Sequence, residues 1–393
     1  VLNPVSLYDG GAWRKISRWL LALAAVVFFI IVVAGGLLAA NYKDLGNLVR
    51  VISLVRSQYL YPVSTTTLVD GALHGIVESL NDPYSVYMDR NTFAGLQEQI
   101  RGSFGGLGIL VGMQDHYLTV ARAYEGTPAQ KAGIRKGDII TRINNRDARD
   151  IDLETAVNLM RGPVGTKITL TIARKGVPKP WNVQLTREEI SVPTVEGKIL
   201  PGTGIGYIQI SQFTEKTPEE MDDVVARLKK ENMRAVLLDL RDNPGGELQA
   251  AVRVADYFVP KGPVVYIDYR TGRDETYSSN GGNLGLPLVV LVNGNSASAA
   301  EILAGAIKDT GAGILVGEKT FGKGIVQTVY QLGGGAGLKL TTARYLTPAR
   351  HDINKKGIVP NVIVTQPPHA EVDLQLQKGI ELLQEKLGVK KAA

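Results

Sequence analysis

Three short stretches of this 393-residue chain bring together residue types that could run acyl-transfer chemistry. The first, PLVVLVNGNSASAAEILAGAIKD (287–309), passes from an apolar strand through a turn of small residues into an amphipathic helix. A serine at such a junction is lifted above the sheet, where the N–H groups of the first helical turn have no internal acceptor. Ser298 followed by Ala299 therefore offers a hydroxyl beside amides suited to an oxyanion. An ordinary N-cap serine has the same local sequence. The second stretch is the strand-like RAVLLDLR, which ends in Asp242-Asn243-Pro244-Gly245-Gly246. Paired glycines let a substrate backbone approach amide donors closely, so Gly245 or Gly246 could supply a second oxyanion donor; a plain tight turn is the alternative. In the third, GEKTFGKGIVQT (317–328), Lys323 sits between Gly322 and Gly324. A lysine hemmed in by backbone loses water, its pKa falls, and its amine can take a proton from serine. A solvated turn lysine is the alternative. Gln327, four residues on, could orient the amine through its side-chain oxygen.

Composition removes several rival chemistries. The chain has no cysteine, which excludes disulfides, thiolate metal sites and cysteine nucleophiles. Its four histidines, His74, His116, His351 and His369, are scattered, and only His351 in TPARHDINKKG competes as a base. No His/Asp/Glu cluster has metal-ligand spacing, and no cofactor motif is present. A formal charge of +6, partly in short basic groups at both ends, gives no nucleic-acid footprint.

The elements that must position these residues fall into a clear order. Residues 19–40 form an uncharged apolar run long enough to span about 30 Å of hydrocarbon as a helix. Arg14, Lys15 and Arg18 precede it, which leaves 1–18 in the cytoplasm and the remainder on the extracytoplasmic side. Secretion after signal cleavage is the alternative. Residues 41–101 read as helical, with an apolar stripe at Leu45, Leu48, Val49, Ile52 and Val55 and a second helix over 66–80. Residues 102–187 change to short β-like runs broken by glycine turns, a mostly-β module with one helix from Leu153 to Met160 capped by Asp152. From 188 to 366 apolar strands alternate with helices, which predicts an α/β layer with parallel pairing; Thr217, Pro218 and Glu220 predict a capping box there. The tail, 367–393, carries a helical stripe of Val372, Leu376, Ile380, Leu383 and Leu387, open to a core contact or to a homodimer contact.

The segments LDLRDNPGGELQAAV, NGNSASAAEILAGAIKD and GEKTFGKGIVQT, in that order, resemble the core motifs of the carboxyl-terminal processing peptidases, or tail-specific proteases. SLNDPYSVYM, GSFGGLGI, TPAQKAGIRKGDIITRIN and TARYLTPARHDINKKGIVPN are similar to the same family, so the resemblance covers roughly 45–390. It implies an α/β protease core with crotonase- and ClpP-like layers, an inserted PDZ domain and an N-terminal helical region, to which the apolar run 19–40 adds a transmembrane helix. The family's nucleophile falls on Ser298, its general-base lysine on Lys323 and its orienting glutamine on Gln327. The oxyanion amides fall on Ala299 and on a glycine of the Gly245-Gly246 pair. Ala300 departs from the serine often found there, and Asp309 sits where the family has an acidic residue.

The 102–187 module resembles a PDZ domain, in which Gly106, Leu107, Gly108 and Ile109 match the loop that holds a peptide's terminal carboxylate, and Arg161 is a candidate for coupling bound peptide to the protease. The implied function is a serine endopeptidase, needing no cofactor, that recognises apolar C-terminal tails and cuts through an acyl-enzyme. A catalytically inactive, membrane-anchored PDZ scaffold is the alternative, and a crotonase-like acyl-CoA enzyme a more distant one.

Overall fold

The computed structural model describes residues 28, 29, 43–367 and 369–388. It divides into two units, Val1–Asn81 and Asp82–Ala393. In the first, α1 (Lys43–Gln58) is followed by α2 (Thr65–Glu78), which opens where the Ser64 hydroxyl accepts the Thr67 N–H at 3.0 Å. On α1 the predicted stripe leaves Leu45, Leu48 and Val49 exposed. The apolar run 19–40 lies outside the described residues apart from Phe28 and Phe29. Among the described residues no helix is long and apolar enough to cross a membrane.

Residues 82–101, expected to belong with the N-terminal helices, fold instead with the larger unit. β1 (Val86–Met88) is a strand within a stretch that reads as helical, and α3 (Arg90–Arg101) follows it. Asp89 caps α3 by accepting the Thr92 N–H at 2.8 Å, and Gly102 closes it at φ +73°, a conformation that costs glycine nothing.

The mostly-β module is a sheet that buries alternate residues of its strands. Its strands are β3 (Ile109–Gln114), β4 (Tyr117–Ala123), β5 (Ile139–Ile143), β6 (Arg146–Asp147), β7 (Lys167–Ala173) and β8 (Trp181–Thr186), in the antiparallel order β3-β4-β5-β7-β8 with β6 on β5. Along β7, Ile168, Leu170 and Ile172 point inward and are fully buried, as a period of two requires. The short α4 (Pro128–Lys131) and α5 (Leu153–Met160) complete the module, and Asp152 caps α5 by accepting the Thr155 N–H at 2.9 Å, as expected. Entry and exit of the module are zipped together by β2 (Ser103–Gly106) and β9 (Glu188–Ser191).

Beyond it, β10 (Val195–Ile199), β11 (Ile205–Ile210), α6 (Thr217–Lys230), β12 (Ala235–Asp239), α7 (Leu248–Ala255), β13 (Gly262–Tyr269), β14 (Glu275–Ser279), β15 (Leu288–Val292), α8 (Ala299–Asp309), β16 (Ile314–Gly317), β17 (Ile325–Gln331), β18 (Gly337–Leu346), β19 (Val362–Ile363) and α9 (Leu374–Lys386) follow. One sheet has the order β10-β11-β12-β15-β16-β19, parallel except for β10. Every residue of β12 and β15 is buried, because the sheet is covered on both faces. Val236, Leu238, Val290 and Val292 pack toward α6, α7 and α8, whereas Leu237, Val289 and Leu291 pack toward α9. From Leu376 to Leu387 the tail stripe is thus a core contact, while Val372 is exposed: Leu383 is fully buried against that second face, and a Cβ on Gly379 would lie 2.7 Å from Leu237.

A second sheet, β1-β18-β13-β14 with β17 on β18, leaves no local signature in the sequence, since its half-polar strands pair across long stretches of chain. The predicted capping box also fails to form. The Thr217 hydroxyl accepts the Thr214 N–H at 2.8 Å, and Glu220 turns away to accept the N–H groups of Thr194 and Val195 at 2.6 and 3.1 Å. Those donors lie at the entry to the edge strand β10, where no further strand among the described residues satisfies them.

Candidate active site

Three neighbouring parallel strands end at one edge of the larger sheet, and each runs into one of the chemistry-bearing stretches. β12 leads into 242–246, β15 into 293–298, and β16 into 318–324. The first two turns are stitched together by side chains. Asn293 Oδ1 accepts the Asp242 N–H at 3.0 Å, and Asp242 Oδ1 accepts amide hydrogens from Asn293 and Asn295 at 2.9 and 2.8 Å. Those amide bonds hold the Asp242 carboxyl below its ordinary pKa, with burial opposing them. Ser296 Oγ donates to the Leu240 carbonyl at 2.7 Å, and the Ala297 N–H donates to the Asn243 carbonyl at 2.9 Å.

Ser298 stands at the start of α8 with φ +54° and ψ −117°. A side chain in this region costs about 1–3 kcal/mol and persists only where the surroundings over-determine it. Here they do. Glu301 Oε2 accepts the Ser298 N–H at 2.9 Å, and the fully buried Tyr345 donates its hydroxyl to the Ser298 carbonyl at 3.1 Å. Burial pushes the Tyr345 pKa well up, so it stays a donor.

Glu301 is the residue that the motifs did not single out. Its side chain is completely buried, and it accepts four hydrogen bonds: from the N–H groups of Ser298, Gly322 and Lys323 at 2.9, 2.8 and 2.9 Å, and from the Thr320 hydroxyl at 2.5 Å. One carboxylate thus ties the serine turn to the lysine loop. The signal was present as Ser-x-x-Glu over 298–301, the spacing of a capping box, whose glutamate here reaches beyond its own helix.

The lysine loop is no open turn. The Phe321 N–H donates to the Ser296 carbonyl at 3.0 Å, the Lys355 N–H to the Gly322 carbonyl at 2.7 Å, and the Tyr345 N–H to the Gly324 carbonyl at 3.0 Å. Both flanking glycines are demanded by close approach. A Cβ at Gly322, which has φ +94°, would lie 2.9 Å from the Gly357 nitrogen, and one at Gly324 2.6 Å from the Asn354 nitrogen. Lys323 is half-buried, and its amine lies 4.8 Å from the centroid of the Tyr84 ring. Burial lowers its pKa, the Lys339 cation lowers it further, and Asp82 and Glu301 oppose both.

The remaining site residues are placed as follows. A Cβ on Gly245 (φ +97°) would sit 2.7 Å from Ser298 Cβ and 2.8 Å from the Ala299 nitrogen, so only glycine admits this approach to the serine. The Gly245 N–H donates to Asn243 Oδ1 at 2.8 Å. Gly246 serves another contact, against Phe213, whose carbonyl a Cβ would meet at 2.0 Å. Gln327 lies just past a bulge on β17, with its Nε2 3.4 Å from Thr341 Oγ1 and 3.5 Å from the Ile325 carbonyl. Among the described residues, Lys323 Nζ makes no hydrogen bond to Gln327 or to the Ser298 hydroxyl. Such bonds are often long without substrate. His351 is set apart at the far end of α8, 3.7 Å from Asp309, and is mostly exposed. Asp309 Oδ2 accepts the Ala349 N–H at 3.0 Å.

In the mostly-β module, β3 is an edge strand facing α5, so among the described residues its outer hydrogen-bonding groups have no strand partner. A groove of about 260 Å³ beside it is lined by Gly106, Leu107, Gly108, Ile109, Val157 and Met160, among others. Gly108 has φ +73°, and a Cβ there would overlap Thr127 at 2.3 Å. Arg161 also lines the groove, with its guanidinium 4.2 Å from the centroid of the Phe104 ring and 3.7 Å from Glu98 on α3.

Comparison with known proteins places this geometry in a family. Residues 204–364 match the family model described as peptidase family S41, 119–174 match a PDZ domain, and 36–92 match the activating protease CtpB N-terminal domain. The chain is 39% identical over 334 residues to the carboxy-terminal-processing protease of Bartonella bacilliformis, covering 83% of this chain and 76% of that one. It is 36% identical over 345 residues to carboxy-terminal processing protease CtpB of Bacillus subtilis, covering 86% and 72%. The solved structure of a photosystem II D1 C-terminal processing protease matches with 30% identity and a TM-score of 0.50, covering 85% of this chain and 89% of that one. An S41 protease structure from Bacteroides fragilis, at 17% identity and a TM-score of 0.51, shares the fold. With its S41 core, its PDZ domain and these relatives, the chain belongs to the carboxy-terminal processing proteases and is a serine peptidase.

Proposed function

We propose that Ser298 and Lys323 form the catalytic dyad of an endopeptidase that cuts through an acyl-enzyme. Ser298 Oγ attacks the scissile carbonyl carbon while the neutral Lys323 amine takes the hydroxyl proton. The tetrahedral oxyanion rests on the Ala299 amide and the Gly245 amide, the latter once Asn243 releases it. The C–N bond then breaks, and the Lys323 ammonium returns the proton to the leaving amine. Water, deprotonated by Lys323, attacks the ester and restores the Ser298 hydroxyl. Gln327 orients the amine.

The observation that carries this reading is the buried Glu301 carboxylate, which sets the Ser298 turn and the Lys323 loop in one frame. The PDZ groove adds selection: an apolar C-terminal tail adds a strand at β3 and seats its last side chain near Leu107 and Ile109, with Arg161 linking the groove to α3. The apolar run 19–40 anchors the protein in the cell membrane with its catalytic body on the extracytoplasmic side.

Assays of the full chain on an unstructured, apolar-tailed polypeptide test the dyad. Ser298→Ala and Lys323→Ala should each abolish cleavage. Turnover by both purified variants at the wild-type rate would contradict the reading. Absence of activity in the wild-type chain would favour the inactive scaffold.

A further inference from the structure

The Lys323 amine is roofed by a residue from a distant part of the chain. Tyr84 lies in the turn Asp82-Pro83-Tyr84-Ser85, and its ring centroid is 4.8 Å from Lys323 Nζ. The turn is locked internally and externally. Asp82 Oδ1 accepts the Tyr84 N–H at 3.1 Å, and Asp82 Oδ2 accepts the Ser85 hydroxyl hydrogen at 2.6 Å. The buried Ser85 hydroxyl in turn accepts the Thr341 N–H at 3.0 Å, which fastens the turn to β18, and Val86 pairs with Lys339 on the same strand. Hydrogen bonds from Ser85 and from the backbone of Tyr84 hold the Asp82 carboxyl below its ordinary pKa although burial opposes them, so the anchor stays ionised.

We propose that Tyr84 is a positioning residue for the base: its ring, fixed to β18 by the Asp82–Ser85 lock, seats the Lys323 amine and keeps bulk water from it. This rests on the reading of Lys323 as the general base.

Two effects of the ring oppose each other. Its face attracts an ammonium, while its bulk withholds water and favours the neutral amine. The charges facing the amine are Asp82 from the turn, Lys339 from β18 and Glu301 from α8, and burial outweighs each of them. In this proposal the loss of cover dominates when the ring is removed. The amine gains water, holds its proton to higher pH, and less of it is available as a base near neutrality.

The test is the pH profile of kcat/KM for the full chain with Tyr84→Ala, Tyr84→Phe and Lys323→Ala. Tyr84→Ala should move the rising limb to higher pH, with activity on the order of tenfold lower near neutrality and recovering as pH rises. Tyr84→Phe keeps the ring and should restore the wild-type limb. A loss in Tyr84→Ala that is the same at every pH, or an unmoved limb, overturns the proposal, as does a Tyr84→Phe variant that behaves like alanine. If Tyr84→Ala fails to fold, titration of the Lys323 amine by NMR in Tyr84→Thr and wild-type chains, both carrying Ser298→Ala, decides instead. A midpoint raised in Tyr84→Thr supports the proposal, and an unchanged or lowered one overturns it. Activity retained in Lys323→Ala defeats the dyad itself, and so separates that failure from failure of the Tyr84 role.

Discussion

The backbone N–H groups of Ser298 and Lys323 converge on a single atom, Glu301 Oε2, each at 2.9 Å. Glu301 has no solvent exposure, and its other oxygen is taken by Gly322 and Thr320. Glu301→Gln keeps the shape but replaces one acceptor oxygen with a donor, which then faces donors. A buried donor left without a partner costs about 1–3 kcal/mol. Thermal unfolding should show a loss of about 2 kcal/mol, and kcat should fall with it because the two loops lose their common reference.

Gly245 approaches Ser298 more closely than any residue with a side chain could, since a Cβ would sit 2.7 Å from Ser298 Cβ. Gly245→Ala should lower kcat by about a hundredfold or more with little change in KM, the pattern of an interaction made in the transition state. Steady-state kinetics on a folded variant check this, and a change confined to KM would speak for ground-state binding at Gly245.

Much of this arrangement was legible in the chain, for identifiable reasons. The continuous apolar runs of β12 and β15 announce strands covered on both faces, and the turns that carry Gly245 and Ser298 follow them, as the turn that carries Lys323 follows β16. The second sheet was hidden because β1 and β18 meet across most of the chain, as Val86 with Lys339, and local periodicity carries no trace of such a pairing. Tyr84 was hidden for the same reason. The sequence motif around 79–88 marked a family likeness, but only the fold of β18 brings that ring to Lys323. Glu220 misled in the opposite way: its spacing from Thr217 suits a capping box, yet the unpaired donors of Thr194 and Val195 compete for it and win.

Lys339 sits on β18 and lowers the Lys323 pKa by charge repulsion, second only to burial. Lys339→Met removes that repulsion and favours the ammonium. The Lys323 pKa should rise, and the limb of kcat/KM that depends on a neutral amine should move to higher pH. A pH–rate series of the wild-type and Lys339→Met chains at one ionic strength measures the shift.

Selection by the PDZ groove can be separated from chemistry. Leu110 lines the groove yet is 49% exposed, so a charge there does not disturb the core. Leu110→Glu should raise KM for apolar-tailed substrates by about tenfold, as expected when an apolar contact of about 1.5 kcal/mol is lost. The rate on short peptides that do not reach the groove should be unaffected. Competition between the two substrate classes reads this directly.

The most direct test of the central claim is acylation of Ser298 itself. The full chain is treated with an activated acyl ester, and the site and rate of modification are followed by peptide mass spectrometry as a function of pH. The account predicts a single adduct on Ser298, forming along a limb set by an amine of lowered pKa, and strongly slowed in Lys323→Ala across the whole range. Acylation of Ser298 in Lys323→Ala at the wild-type rate and with the wild-type pH dependence would contradict it.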